Sequence, residues 1–276
     1  RILKGWLGDV LDVDDFLPAA DDLALTAEER FWIRQHREIR IAVDPDYGPF
    51  EYLDADGQHR GLSADFLDLL SARLGLRFVL VPSENWEHSL QLAIQKEVDL
   101  LPLLEPTAHR RLQLLFTEPY FTSHQVIITR GKRHGLASPE GLAGHTVVLP
   151  AGYSTVEHIR LSLPEVRVEV AENVQSCLQR VAEGAADATI LSLGVAGYWL
   201  ERTELTNLRI VGPFHPASTL AMGGRNDWPE LVTILQKGLD SISAEQRRDI
   251  RRRWINLGVD PPHGVELGLS PQQQAW

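Results

Sequence analysis

A single cysteine, Cys177, occurs in this chain, so no intrachain disulfide can brace the fold, and cysteine usage does not identify a compartment. Val174, Leu178 and Val181 surround Cys177 at helical spacing, which marks it as a small core residue. No run of 18 apolar residues is present, so no membrane-spanning helix is predicted. Lysine is scarce: Lys4, Lys96, Lys132 and Lys237 are the only ones among 27 basic residues. With 38 acidic residues the net charge is −11, a field that repels nucleic-acid phosphates and favours cationic solutes. The ten histidines contain no pair at i, i+3 or i+4, so no helical zinc site is expected, and we expect no metal. No Gly-Lys-Ser/Thr phosphate loop exists, and Gly152-Tyr-Ser154 lacks the second glycine of a nucleophile elbow. These absences argue against phosphoryl transfer and serine hydrolysis, and no cofactor is expected. At Arg1 there is neither an initiator Met nor a signal-peptide pattern, from which we expect a mature fragment whose targeting or membrane segment lies outside the sequence.

What is present is a near-continuous alternation of strand and helix signals, the pattern of an α/β sheet. Residues 39–43 alternate as a strand ending at Asp44-Pro-Asp. Ser63 is expected to cap a helix with Phe66, Leu67, Leu70 and Leu74 on one face, closed by Gly75. A strand over 76–81 follows, then a helix over 86–96 with Leu90, Ala93 and Ile94 inward, and a buried strand over 98–104. An extended segment at 125–129 leads to a second series that starts with a strand at 146–149. Its helix begins at Ser154, where Ser154-Thr-Val-Glu157 fits a capping box. A strand over 166–170, a helix over 173–183 ended by Gly184 and a strand over 187–191 complete that series. Residues 218–222 then return the chain to the first series, where helices over 228–242 and 244–254 pack.

Three motifs stand in order: Ile39-Arg-Ile-Ala-Val43-Asp44-Pro-Asp-Tyr47-Gly48-Pro49-Phe50, then Asp99-Leu-Leu-Pro-Leu-Leu-Glu105-Pro-Thr107-Ala-His-Arg110, then Gly152-Tyr-Ser154-Thr155-Val-Glu157. The ordered set resembles bacterial solute-binding protein family 3, the amino-acid-binding flytraps, over residues 38–258. The resemblance implies an α/β fold of the two-lobed, periplasmic-binding-protein-like (type II) Venus flytrap with two crossovers. Lobe 1 would comprise residues 38–122 and 213–258, lobe 2 residues 123–212, with a linker and entry helix over 1–37 and a tail over 259–276.

By the family pattern Arg110 is the clamp for a ligand carboxylate, with Thr107 in the same motif, and the Gly152-Tyr153-Ser154 turn supplies N–H donors from the other lobe. Independent physics supports both assignments: guanidinium forks a carboxylate, and a helix N-terminus attracts anions. From the residues alone, Arg110 has the alternative of a surface ion pair, and Ser154 that of a simple cap. Tyr47 and Trp86 match positions that sandwich a ligand side chain, an arrangement that favours cations; Phe50 is read as supporting the loop from below. Asp44 matches the position that pairs with the distal cation in basic-amino-acid binders, and is otherwise an Asx-turn residue before Pro45. Two departures stand out. Glu105 replaces the family's small hydroxyl residue, and Ser192 replaces the aspartate that binds the α-ammonium. Either Glu105 takes over that role from the other lobe, the reading we adopt because Glu105, Asp44 and Arg110 together suit a basic amino acid such as arginine, or the ligand is not an α-amino acid.

The ends point to context. Arg1-Ile-Leu-Lys-Gly-Trp6-Leu-Gly8 resembles the family's closing helix, which also appears as Asp249-Ile-Arg-Arg-Arg-Trp254-Ile-Asn-Leu-Gly258, so residues 1–8 read as the tail of a preceding flytrap or, alternatively, as an N-terminal helical extension. Residues 9–22 would be an acidic linker and Leu25-Thr26-Ala-Glu-Glu-Arg-Phe31-Trp32 a capped entry helix, as in the sensory subgroup outside the membrane of histidine kinases and cyclic-di-GMP cyclases or phosphodiesterases. The expected role is a periplasmic sensor domain that binds a small-molecule solute and is not itself an enzyme. A second flytrap module, a membrane-anchored signalling domain and a homodimer are the further partners this arrangement allows. The alternatives are a soluble amino-acid-binding protein of an ABC transporter and, more distantly, a dehydratase or transglycosylase-associated domain, for which Glu105 and His109 are the local acid–base candidates. The arginine cluster at 247–253 suits the end of the last helix, as a solvated face or a contact with a neighbouring module or membrane surface.

Overall fold

The computed structural model describes residues 23–255. The expectations for residues 1–22 and 256–276 lie outside the described residues. The chain opens with α1 (Ala27–Gln35), whose N-cap Thr26 forms the full capping box with Glu29. Next come β1 (Glu38–Ile41), a small antiparallel sheet of β2 (Asp46–Tyr47), β3 (Glu51–Leu53) and β4 (His59–Arg60), and α2 (Leu62–Leu74). β5 (Arg77–Leu80), α3 (Trp86–Ile94) and β6 (Leu100–Leu104) complete the first β-α-β-α-β series. After β7 (Leu114–Phe116), the long β8 (Phe121–Arg130) crosses to the second series: β9 (Thr146–Pro150), α4 (Ser154–Ser162), β10 (Arg167–Ala171), α5 (Val174–Glu183), β11 (Ala188–Ser192) and α6 (Leu193–Arg202). The 18-residue β12 (Leu208–Arg225) returns, and α7 (Pro229–Asp240) and α8 (Ala244–Trp254) close the described chain.

One nine-stranded sheet runs β10-β9-β11-β8-β12-β6-β1-β5, with β7 added on β12. Its two halves are parallel: β1 pairs with β5 and β6, and β9 with β10 and β11. The centre is antiparallel, because β8 and β12 run through both halves as the two crossovers. This is the two-lobed flytrap topology expected from the sequence. β6 is buried at every position, as a strand covered on both faces must be, and it carries Pro102. Proline has no ladder donor, and the pairing of β6 with β12 breaks register between Ala221 and Gly223, beside that position.

Local chemistry corrects several expectations. Ser63 does not cap α2; the N-cap is Gly61 at φ 114°, where a Cβ would sit 2.6 Å from the Phe50 carbonyl oxygen. Ser63 lies in the first turn, and its hydroxyl donates to Glu51 Oε2 at 2.9 Å. The inward face of α3 carries Ser89, Leu92 and Ala93, with Leu90 and Ile94 only half-buried. Helix α6, the small β2-β3-β4 sheet and β7 were not anticipated.

Candidate functional site

Where the carboxyl ends of β1 and β6 meet the amino end of α4, the two lobes enclose a cavity. Asp44, Tyr47, Trp86, Glu105, Arg110, Tyr153, Ser154 and Ser192 all line it. Thr107 and Gly152 do not line it: Thr107 is buried behind, accepting the Arg110 N–H at 3.3 Å, and Gly152 supports two of the lining side chains from the rear. Sequence reasoning missed Leu103, Leu104, Gln125, Thr155, Ser218 and Leu220. Gln125 and Ser218 sit on the two crossovers and are joined by a 2.9 Å bond. Buried polar residues facing one another on paired crossover strands are the signal that could have found them.

Arg110 is buried, not a surface ion-pair partner, at 6% exposure. It follows β6 in a short 3-10 turn, and its guanidinium donates to the carbonyl oxygens of Glu105 at 2.8 Å and Gly152 at 2.7 Å. It also lies 5.6 Å from the Trp86 ring. Burial lowers its pKa to about 10, against the opposing pull of Glu105 and Glu157. Gly152 therefore presents its carbonyl to the cation, where an N–H donor for a ligand was expected. That carbonyl also accepts Trp86 Nε1–H at 3.0 Å. A residue at φ 74° is what turns the peptide this way.

The α4 terminus corrects a second expectation. Tyr153 is the N-cap, and no side chain caps the helix, so Ser154 and Glu157 form no capping box. The Ser154 hydroxyl instead donates across the cleft to Glu105 Oε2 at 2.6 Å, while His158 Nε2 stands 3.5 Å from Glu105 Oε1. His109 is exposed and outside the cavity, so the Glu105–His109 acid–base pair is not assembled.

Asp44 forms the Asx turn of one of its sequence readings, and its second carboxylate oxygen faces the other lobe. Oδ1 accepts the Asp46 N–H at 2.9 Å, an Asx turn, and Oδ2 accepts the Tyr153 hydroxyl at 2.6 Å. Burial raises its pKa to about 7, although the bonds from Tyr153 and Asp46 oppose the shift. Beneath it lies Glu51, fully buried, accepting the Asp44 N–H at 2.8 Å; burial holds its carboxyl well above the usual range. Tyr47 packs 5.5 Å from Phe50 and edge-on to Tyr153 at 5.8 Å. Phe50 is buried as a support. Ser192 bonds Ser123, and burial raises the Tyr47 phenol despite its bond to Ser192.

Further bonds cross between the lobes, including Trp199 Nε1–H to the Asp46 carbonyl at 2.9 Å. With the lobes so joined, the cavity between them is small, about 40 Å³. Among the described residues no group of three His, Cys, Asp or Glu is placed to hold a metal, and no helix is long and apolar enough to cross a membrane.

Comparison with known proteins places this geometry. The Virulence sensor protein BvgS of Bordetella bronchiseptica is 29% identical over 261 residues, 94% of this chain. The chain spans 21% of that protein's length. The Arginine-binding extracellular protein ArtP of Bacillus subtilis is 24% identical over 224 residues, 79% of this chain and 86% of ArtP. The crystal structure of the Bordetella pertussis BvgS periplasmic VFT2 domain superposes with a TM-score of 0.75 at 30% identity, covering 84% of this chain and 99% of that one. The family profile matches residues 39–257. The chain thus belongs to the bacterial extracellular solute-binding proteins, family 3, and is similar to the members that serve as sensor domains.

Proposed function

We propose that the chain is the periplasmic, ligand-binding domain of a membrane-anchored signalling protein, a histidine kinase or cyclic-di-GMP enzyme, and that it takes an amino acid, a basic one such as arginine, between its lobes. The observation that carries the reading is the convergence of one buried guanidinium, Arg110, and two carboxylates, Asp44 and Glu105, with the rings of Tyr47 and Trp86 on a single interlobe cavity. A carboxylate on Arg110, an ammonium on Glu105 and a distal cation between Tyr47 and Asp44 would match every charge. Residues 38–122 with 213–258 act as one lobe and 123–212 as the other. The solute stabilises the closed form by its greater affinity for it. Reach of alignment favours the sensor: BvgS aligns over 94% of the chain, past both lobes, and ArtP over 79%. In the parent protein a second flytrap precedes this one, and lobe closure changes the output domain.

Isothermal titration of the chain against the amino acids tests the ligand. Heat with arginine or lysine and none with glutamate or dicarboxylates is expected; no binding of any amino acid, or preference for an acidic one, overturns it. A soluble transport-binding protein is the second reading, favoured by the 86% of ArtP that the match covers. The gene beyond Trp276 decides, by a membrane helix and signalling domain or by a stop codon.

A further inference from the structure

Tyr153 holds the N-cap position of α4, yet its side chain caps nothing. The ring reaches across the cleft, lies edge-on to Tyr47 with centroids 5.8 Å apart, and the hydroxyl donates to Asp44 Oδ2 at 2.6 Å. A flat group packed on Tyr47 with a donor aimed at Asp44 is what the side chain of a cationic solute would place there. The neighbouring groups are engaged in the same internal way. Arg110, the group that would take a solute carboxylate, holds the Gly152 carbonyl, and Glu105 holds Ser154, so the residues of one short turn, 152–154, meet all three charged groups of the cavity.

We propose that Tyr153 is a tethered occupant of the side-chain subsite and so sets the selectivity of the site: the lobes close on Tyr153 without a solute, and a solute side chain enters only by displacing it. This rests on the amino-acid reading for the identity of the displacing solute. Tethering gives the phenol a high effective concentration at Asp44. A solute then binds with its intrinsic affinity reduced by the fraction of molecules in which Tyr153 has withdrawn. Selectivity follows, because a side chain displaces Tyr153 only if its bond to Asp44 is stronger than a neutral phenol's, as a guanidinium's or ammonium's is.

The test uses small-angle scattering and arginine titration of the wild-type chain and of Tyr153→Ala, with circular dichroism to establish that the variant is folded. Without added solute, the wild type is expected to scatter as the compact, closed form and Tyr153→Ala with a larger radius of gyration. Arginine is expected to close the variant and to bind it about tenfold or more tightly than wild type, the equivalent of one lost hydrogen bond to a charged group. Tyr153→Phe, which keeps the ring and removes the donor, is expected to fall between the two, and carries the test if the alanine variant does not fold. Equal radii of the wild type and the folded variant without solute overturn the proposal whatever the ligand is, as does equal arginine affinity. A variant that opens while neither protein binds any amino acid upholds the tether and removes the amino-acid reading instead.

Discussion

Strand β6 has charged groups at both ends, and the two ends are organised in opposite ways. At its start Asp99 is met by two cations: Arg40 donates through Nε at 3.0 Å and Nη2 at 2.7 Å, and Arg225 through Nη1 at 3.0 Å. Burial would raise the Asp99 carboxyl, but the bonds from Arg40 and Arg225 outweigh it and hold the pKa below the ordinary value. Just beyond the other end, Arg110 donates to backbone carbonyls, Glu105 accepts from a serine, and Asp44 accepts from a phenol and an amide. Here burial wins, and both Asp44 and Arg110 shift toward their neutral forms. The matched end holds lobe 1 together within one lobe. The unmatched end lies at the carboxyl edge of the strands, where open α/β sheets place ligands, and its bonds to Gly152, Tyr153 and Ser154 run between lobes. Charge hydrogen-bonded to neutral partners and not to an opposite charge is what distinguishes the place where a solute can act from the place where the fold is fixed.

The contrast is broken most severely at Asp99. Asp99→Ala removes the buried acceptor that Arg40 and Arg225 share, and because Arg40 is half-exposed and Arg225 keeps Asp227, the loss is that of hydrogen bonds to a charged group, about 2 kcal/mol. Denaturant unfolding should register that loss, while arginine titration and the ligand-free scattering radius stay as in wild type. An equal loss of arginine affinity would mean that the two ends of β6 are not independent.

Most of this architecture was legible in the residues, and the exceptions have physical causes. Helices α2 and α5 carry an unbroken apolar face and end at Gly75 and Gly184, both left-handed, so pattern and stop signal agreed. Helix α6 was missed because it follows β11 directly and holds Gly194 and Gly197, which weaken helix propensity. Gly194 is there for packing: a Cβ would lie 2.4 Å from Phe50 Cζ. In the cavity the participants could be picked out, because arginine, aromatics and a glycine turn are visible as residue types. Their partners could not. Which atom of Gly152 faces Arg110 depends on a positive φ and on the lobes having met, and neither is written in spacing. Ser154 matched a capping pattern, but Tyr153 took the cap position one residue earlier, which freed the serine for a carboxylate acceptor in the other lobe.

The unmatched end should also respond to pH where the matched end does not. The Asp44 carboxyl is raised to about 7 in the folded protein by burial, from an ordinary value near 3.9 in the unfolded chain. The stability it contributes in its protonated form is complete below about pH 4 and is lost as pH rises through about 7. Wild type should therefore lose stability relative to Asp44→Asn between pH 4 and pH 8, by about 1–4 kcal/mol at the upper limit. The groups facing Asp44 are the Tyr153 hydroxyl, the Tyr47 phenol, Asp46 and Glu51; all are kept in both proteins, and because the Asp44 charge helps to raise Glu51, the difference curve reads the loss of Asp44 together with its effect on Glu51. Parallel stability profiles for the two proteins would show that Asp44 is not held near neutrality.

The smallest effect sharpens the comparison furthest, because one substitution can be made at two helix starts. Ser243 is a true N-cap: its hydroxyl accepts the Gln246 N–H at 3.2 Å and a full capping box is present. Ser243→Ala should cost about 1 kcal/mol, read in the unfolding of lobe 1. Ser154 lies inside its helix and bonds Glu105 of the other lobe at 2.6 Å. Ser154→Ala should cost about as much through the lost bond to a carboxylate, but the loss belongs to the open–closed balance. It should appear as a larger ligand-free scattering radius and altered Trp86 emission, because Trp86 bonds Gly152 in the same turn. If Ser154→Ala lowers the unfolding midpoint as Ser243→Ala does and leaves the radius unchanged, its hydroxyl serves the helix and not the closure.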